Sequence, residues 1–124
     1  MKFLVVDDSA TMRRIVVNSL QRIGFKEVVE AGDGREALEK FDDTIGFIIT
    51  DWNMPNMGGV ELARAVRSSS PRGKTIPILM VTARSVREDI VTALASEVNY
   101  YIVKPFTPQV LKEKIDALLA VGVS

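Results

Sequence analysis

The sequence contains no cysteine and no histidine. Without cysteine there is neither a disulfide framework nor a thiolate metal site. Without histidine, Ser-His and Cys-His catalysis are excluded, and lacking both residue types the chain has almost no route to a zinc centre. A phosphohistidine, if one takes part, must sit on another molecule. Net charge is missing too: 16 basic side chains balance 16 acidic ones, whereas a nucleic-acid surface needs a basic stripe. Arg13-Arg14 is the only arginine pair, and it reads as part of a solvated helix face. No hydrophobic run is long enough to cross a membrane. Lys2 leads directly into a strand rather than into the apolar region of a secretory signal. The expected location is cytoplasmic, with neither a nucleic acid nor a membrane as partner.

What remains is 124 residues, 47% of them hydrophobic, enough for one well-buried core. Residues 2–6 form an apolar strand, and Asp8-Ser9 starts a helix carrying Met12, Ile15, Val16, Leu20 and Ile23 at helical spacing before Gly24 stops it. Glu27 to Ala31 is a half-polar run, read as an outer strand. Asp33-Gly34-Arg35-Glu36 has the spacing of a capping box for a helix that turns Ala37, Leu38 and Phe41 inward. A third strand over Gly46 to Thr50 runs into the loop Asp51 to Gly59 and a helix through Leu62, Ala63, Ala65 and Val66. Ser68 to Lys74 is expected to be a surface connection. Ile76 to Val81 is the fourth strand, Val86 to Ala95 a weaker helix, and Tyr100 to Val103 the fifth strand. Thr107-Pro108 caps a last helix whose inner face carries Leu111, Ile115, Leu118 and Leu119. No repeat or linker breaks this alternation, so a single domain over 1–124 is expected, without an attached output domain.

Strict β-α alternation with nearly all-apolar strands implies a single doubly wound parallel sheet of five strands, covered by five helices on both faces. Such sheets bind ligands at the carboxyl ends of their strands, where the strand order reverses. The polar residues cluster at those ends. Phe3-Leu4-Val5-Val6 ends in Asp7-Asp8, Phe47-Ile48-Ile49-Thr50 in Asp51, Ile78-Leu79-Met80-Val81 in Thr82, and Tyr101-Ile102-Val103 in Lys104. Two carboxylates ~4 Å apart repel by about 4 kcal/mol at an effective dielectric near 20. Gathering Asp7, Asp8 and Asp51 is therefore unfavourable unless a cation binds or protons are taken up. All the available ligands are hard oxygen groups, which suits Mg²⁺. A carboxylate so placed can attack phosphorus to give an acyl phosphate, with Mg²⁺ and the Lys104 ammonium neutralising charge and Thr82 donating a hydrogen bond.

Val5-Val6-Asp7-Asp8-Ser9, Asp51-Trp52-Asn53-Met54-Pro55-Asn56-Met57, Val81-Thr82-Ala83 and Tyr101-Ile102-Val103-Lys104-Pro105-Phe106 resemble the receiver domain of bacterial response regulators, the stand-alone chemotaxis receivers above all, over nearly the whole chain. The strand order 2-1-3-4-5, flavodoxin-like, comes with that resemblance. The resemblance further implies that Asp51 is the phosphoryl acceptor. Asp8, Asp51 and the backbone carbonyl of Asn53 would bind Mg²⁺ directly, and Asp7 mainly through water. Thr82 and Lys104 would contact phosphoryl oxygens, the Lys104–Pro105 bond would be cis, and Tyr101 would be the switch aromatic. Thr82 would be drawn to the phosphoryl group and Tyr101 would fill the vacated space. The face of the helix over 86–95, the fifth strand and the last helix would then change its affinity for a partner. The implied partners are a histidine kinase as donor, a flagellar motor switch protein or other effector, and a phosphatase. Gly58, Arg84 and Ser96-Glu97-Val98-Asn99 depart from the pattern, and they bear on partner identity and dephosphorylation rate.

Other functions compete. A single-domain receiver in a phosphorelay outside chemotaxis shares every one of these residues. An aspartyl-phosphate phosphohydrolase usually has an acid two residues beyond its nucleophile, where this chain has Asn53. A flavodoxin-like nucleotide binder would want glycines or hydroxyls where Asp7-Asp8 stands.

Overall fold

The computed structural model describes residues 1–82 and 98–123, with side chains as far as residue 120. Strands β1 (Lys2–Val6), β2 (Glu27–Ala31), β3 (Ile45–Asp51), β4 (Ile78–Thr82) and β5 (Tyr100–Val103) pair in parallel in the order β2-β1-β3-β4-β5. The expected sheet and its order are thus present, with the half-polar β2 at one edge. Helices α1 (Ala10–Ile23), α2 (Gly34–Lys40), α3 (Gly59–Ser69), α4 (Pro71–Thr75) and α5 (Pro108–Val123) cover it. The helix expected over 86–95 and Arg84 lie outside the described residues.

Alternation along each strand sorts the core into two layers. Leu4, Val6, Ile48, Ile78 and Met80 face α2 and α3, where Ala37, Leu62, Ala63 and Val66 meet them. Phe3, Val5, Phe47, Ile49, Leu79 and Val81 face α1 and α5, against Val16, Leu20, Leu111 and Ile115. Each such side chain, buried in full, contributes about 1.5–3 kcal/mol, so strands apolar on both faces are held centrally and their ends are carried to one rim.

Local signals set the helix bounds. The Ser9 hydroxyl accepts from the Met12 N–H at 3.3 Å, and Gly24 ends α1 at φ 119°, a left-handed conformation that favours glycine. Thr107 caps α5 through the Val110 N–H. Two expectations are corrected and one is refined. Ile15 is 44% exposed, and Val17 and Ser19 are the buried residues instead, because the buried stripe of α1 lies between the sheet and α5 rather than on the Met12–Ile15 side. Ser68 to Lys74 is a largely exposed connection, as expected, but it contains a short helix: Ser70 caps the Gly73 N–H and Pro71 opens α4. Glu36 does not reach back to Asp33 but accepts from the Gly32 N–H at 2.6 Å, while Asp33 accepts from the Glu36 N–H.

Candidate functional site

Register decides what meets at the rim. Val6 pairs with Thr50, so Asp7 and Asp51 stand side by side one residue further on. Asp51 pairs with Val81, which places Thr82 just beyond, and Thr82 pairs with Val103, which places Lys104 just beyond that. The Lys104 N–H extends the ladder by donating to the Thr82 carbonyl at 2.8 Å. Strands lie about 4.8 Å apart, so the Lys104 backbone is three strands away from Asp7. Its stem nevertheless reaches back across the rim: Nζ lies 3.3 Å from Asp7 Oδ2 and 3.5 Å from Asp51 Oδ1. The Lys104–Pro105 bond is cis.

Asp7, Asp8 and Asp51 each offer an oxygen to a cluster whose ligand atoms all lie within 4.8 Å of one another. Their surroundings differ. Asp7 is 3% exposed, and Oδ1 accepts from the Ser9 N–H at 2.9 Å. Asp8 is exposed. Asp51 is half-buried, and its Oδ1 accepts from the Trp52 N–H at 2.8 Å. Burial pushes the Asp51 carboxyl above its ordinary value; the Lys104 charge and the Trp52 N–H oppose this, and the neighbouring Asp7 reinforces it. One ammonium therefore faces two of the three clustered carboxylates, and their mutual repulsion is only partly offset. A hard divalent cation fits this donor set, because it needs carboxylate oxygens and tolerates water in its remaining positions.

Sequence comparison agrees with the geometry. Residues 3–116 match the response regulator receiver domain. The chain belongs to that family. This receiver is 55% identical over 121 residues to the chemotaxis protein CheY1 of Helicobacter pylori, covering 96% of this chain and 97% of the relative. It is 51% identical to CheY of Pseudomonas aeruginosa, covering 95% of each. Among solved structures it superposes on the chemotaxis protein CheY4 of Vibrio cholerae with a TM-score of 0.87, at 41% identity over 94% of this chain and 97% of that one. CheY is itself a standard example of the 2-1-3-4-5 order.

The receiver's other expected residues fall as follows. Thr82 is buried at the end of β4. Asn53 is exposed in the loop after Asp51, beside a polar cavity of about 200 Å³. Tyr101 is half-buried and packs on the layer beneath α2 and α3, whereas Tyr100 is 41% exposed with the Lys114 ammonium 4.4 Å from its ring. The two tyrosines are neighbours on β5, the last strand of the sheet, and their rings stack at 5.4 Å. Among the described residues no helix is long and apolar enough to cross a membrane.

Two supports escaped the sequence reading. The loop after Asp51 is docked on the start of α2: the Asn56 amide donates to Asp33 Oδ2 at 2.8 Å, and the Gly34 N–H donates to the Met57 carbonyl at 3.0 Å. A Cβ on Gly34 would press on that carbonyl, and one on Gly59 would overlap the Asp51 carbonyl. The available signal was the Asp-Gly and Gly-Gly pairs themselves. Arg13 is the second, and here the solvated-face reading fails. Its guanidinium turns inward to the Asp7 carbonyl and to Glu30.

Proposed function

We propose that this receiver is a stand-alone response regulator of a chemotaxis-type two-component system, acting in the cytoplasm by accepting a phosphoryl group on Asp51 from a histidine kinase. The observation that carries this reading is the single ammonium of Lys104 lying within 3.5 Å of both Asp7 and Asp51, side chains that belong to different strands. Asp8, Asp51 and the Asn53 backbone carbonyl would hold Mg²⁺ directly, with Asp7 acting through water. The bound ion supplies positive charge for the nucleophile and for the incoming phosphoryl oxygens.

The chain's own residues do the rest. Trp52 N–H and Lys104 orient the Asp51 carboxylate. A carboxylate oxygen forms a bond to phosphorus as the phosphorus–nitrogen bond to the donor's imidazole breaks, leaving an acyl phosphate and returning the electron pair to nitrogen. Lys104 stabilises the transferred oxygens and the Thr82 hydroxyl donates to one of them. Occupancy draws Thr82 toward the phosphoryl group and Tyr101 into the space behind it. That changes the face made by the helix expected over 86–95, β5 and α5, where residues including Tyr100, Phe106, Val110 and Lys114 line a groove of about 320 Å³. A flagellar motor switch protein is the effector that the chemotaxis relatives favour, and a phosphatase would end the signal.

Acetyl phosphate with Mg²⁺ should label the wild-type chain once per molecule, and labelling should vanish in Asp51→Asn or on chelation of the metal. Undiminished labelling of Asp51→Asn would reject Asp51 as the acceptor.

A further inference from the structure

Asp7 is clamped through its main chain as well as its carboxylate. Its N–H donates to the Ala31 carbonyl of β2 at 3.1 Å, extending the β1–β2 pairing by one residue. Its carbonyl accepts from Arg13 Nη1 at 2.7 Å, and the same guanidinium donates through Nε to Glu30 Oε1 at 3.0 Å. Arg13 thus ties the turn between β1 and α1 to the neighbouring strand through two bonds on one rigid planar group, which an ammonium could not reproduce. Arg14 also pairs with Glu30, at 2.8 Å. It differs in exposure, its side chain being 55% exposed against 21% for Arg13.

We infer that Arg13 is a positioning residue for the metal-binding carboxylates. By fixing the Asp7 carbonyl against Glu30, it sets the direction in which the Asp7 and Asp8 side chains leave the end of β1. The inference rests on the reading of the acidic cluster as a Mg²⁺ site. Charge and geometry make opposite predictions here. A guanidinium beside a cation site repels the cation, so if Arg13 acted only through charge its removal would tighten Mg²⁺ binding. If it positions the carboxylates, its removal loosens them and binding weakens, by about tenfold for a support of this kind.

Isothermal titration of the full chain with MgCl₂, well below the melting temperature, separates the two. Arg13→Ala should bind Mg²⁺ about tenfold more weakly than wild type. Arg14→Ala removes the same charge from the same helix and the same glutamate without touching Asp7, and should stay within about twofold of wild type, as expected for an exposed pair. Arg13→Lys should weaken binding too, although it keeps the charge, and it decides the question if the alanine variant does not fold. Unchanged or tighter binding in the Arg13 variants, or equal weakening in Arg14→Ala, would overturn the inference. Hydrogen exchange in metal-free buffer supplies a second readout: the Ser9 amide, which donates to Asp7, should exchange faster in the Arg13 variants and not in Arg14→Ala. A wild-type chain that takes up no Mg²⁺ would defeat the metal reading alone, and Ser9 exchange would still decide the role of Arg13.

Discussion

Lys104 does two jobs that pull in opposite directions. Its ammonium offsets the charge of Asp7, whose side chain is only 5% exposed, and it would compete with a metal ion for the Asp51 carboxylate. Lys104→Met keeps the stem and removes the charge, so the Asp7 carboxylate keeps the Ser9 N–H and loses its ammonium partner. Urea unfolding in the presence of chelator should show a loss of about 2 kcal/mol. Mg²⁺ should bind the variant more tightly than wild type, because a competing cation is gone, while labelling by acetyl phosphate should fall. Unchanged stability together with weaker Mg²⁺ binding would contradict this account of the lysine. At this scale the sequence was informative about identity. Asp7, Asp8, Asp51, Thr82 and Lys104 each follow an apolar strand, a position that burial alone does not explain. It was uninformative about Arg13, because an arginine on an amphipathic helix looks the same in sequence whether its guanidinium meets water or a carbonyl.

Among the elements, α2 shows how a local signal can be right in kind and wrong in partner. Asp33 caps the helix as its spacing suggests, and it also receives the Asn56 amide from the loop after Asp51. The Glu36 N–H first, and then Asn56, hold the Asp33 carboxyl below its ordinary value of 3.8. A folded-state value below the unfolded one means that the stabilisation is complete above the unfolded range and is lost as pH falls through the folded value. The stability difference between wild type and Asp33→Asn, measured by urea unfolding, should therefore be constant from neutrality down to about pH 4 and shrink below it. A difference independent of pH across that range would remove the charged cap from the account. At the other end of the sheet, Asn99 makes a set of contacts that its sequence position did not announce. Its side-chain oxygen accepts from the Ile78 N–H at 2.7 Å and from Arg67 Nη2 at 2.8 Å, and its own N–H donates to the Ile78 carbonyl. Asn99 thus ties the start of β5 to β4 and α3.

Over the whole molecule, the site and the groove beside β5 and α5 share one sheet, and β4 and β5 join them. Thr82 and Val103 are partners in that pairing, and Tyr101 lies two residues before Val103 on the same strand. A phosphoryl mimic such as beryllofluoride, added with Mg²⁺, should therefore shift backbone amide resonances of β5 and of α5 around Val110 and Lys114 more than those of α2. Perturbation confined to the loops around Asp7 and Asp51 would leave the rim without a route to the groove. The sequence by itself determined the alternation of elements, the two-sided burial of the strands and the identity of the groups at their ends, since all of these follow from local periodicity and local turn chemistry. Only the tertiary structure decided which of those ends touch. Register and strand order bring Lys104 back across the rim to Asp7, and packing of α1 on the sheet turns Arg13 toward a carbonyl. The Lys104–Asp7 contact joins residues 97 apart in the chain, a separation that carries no trace of their distance in space.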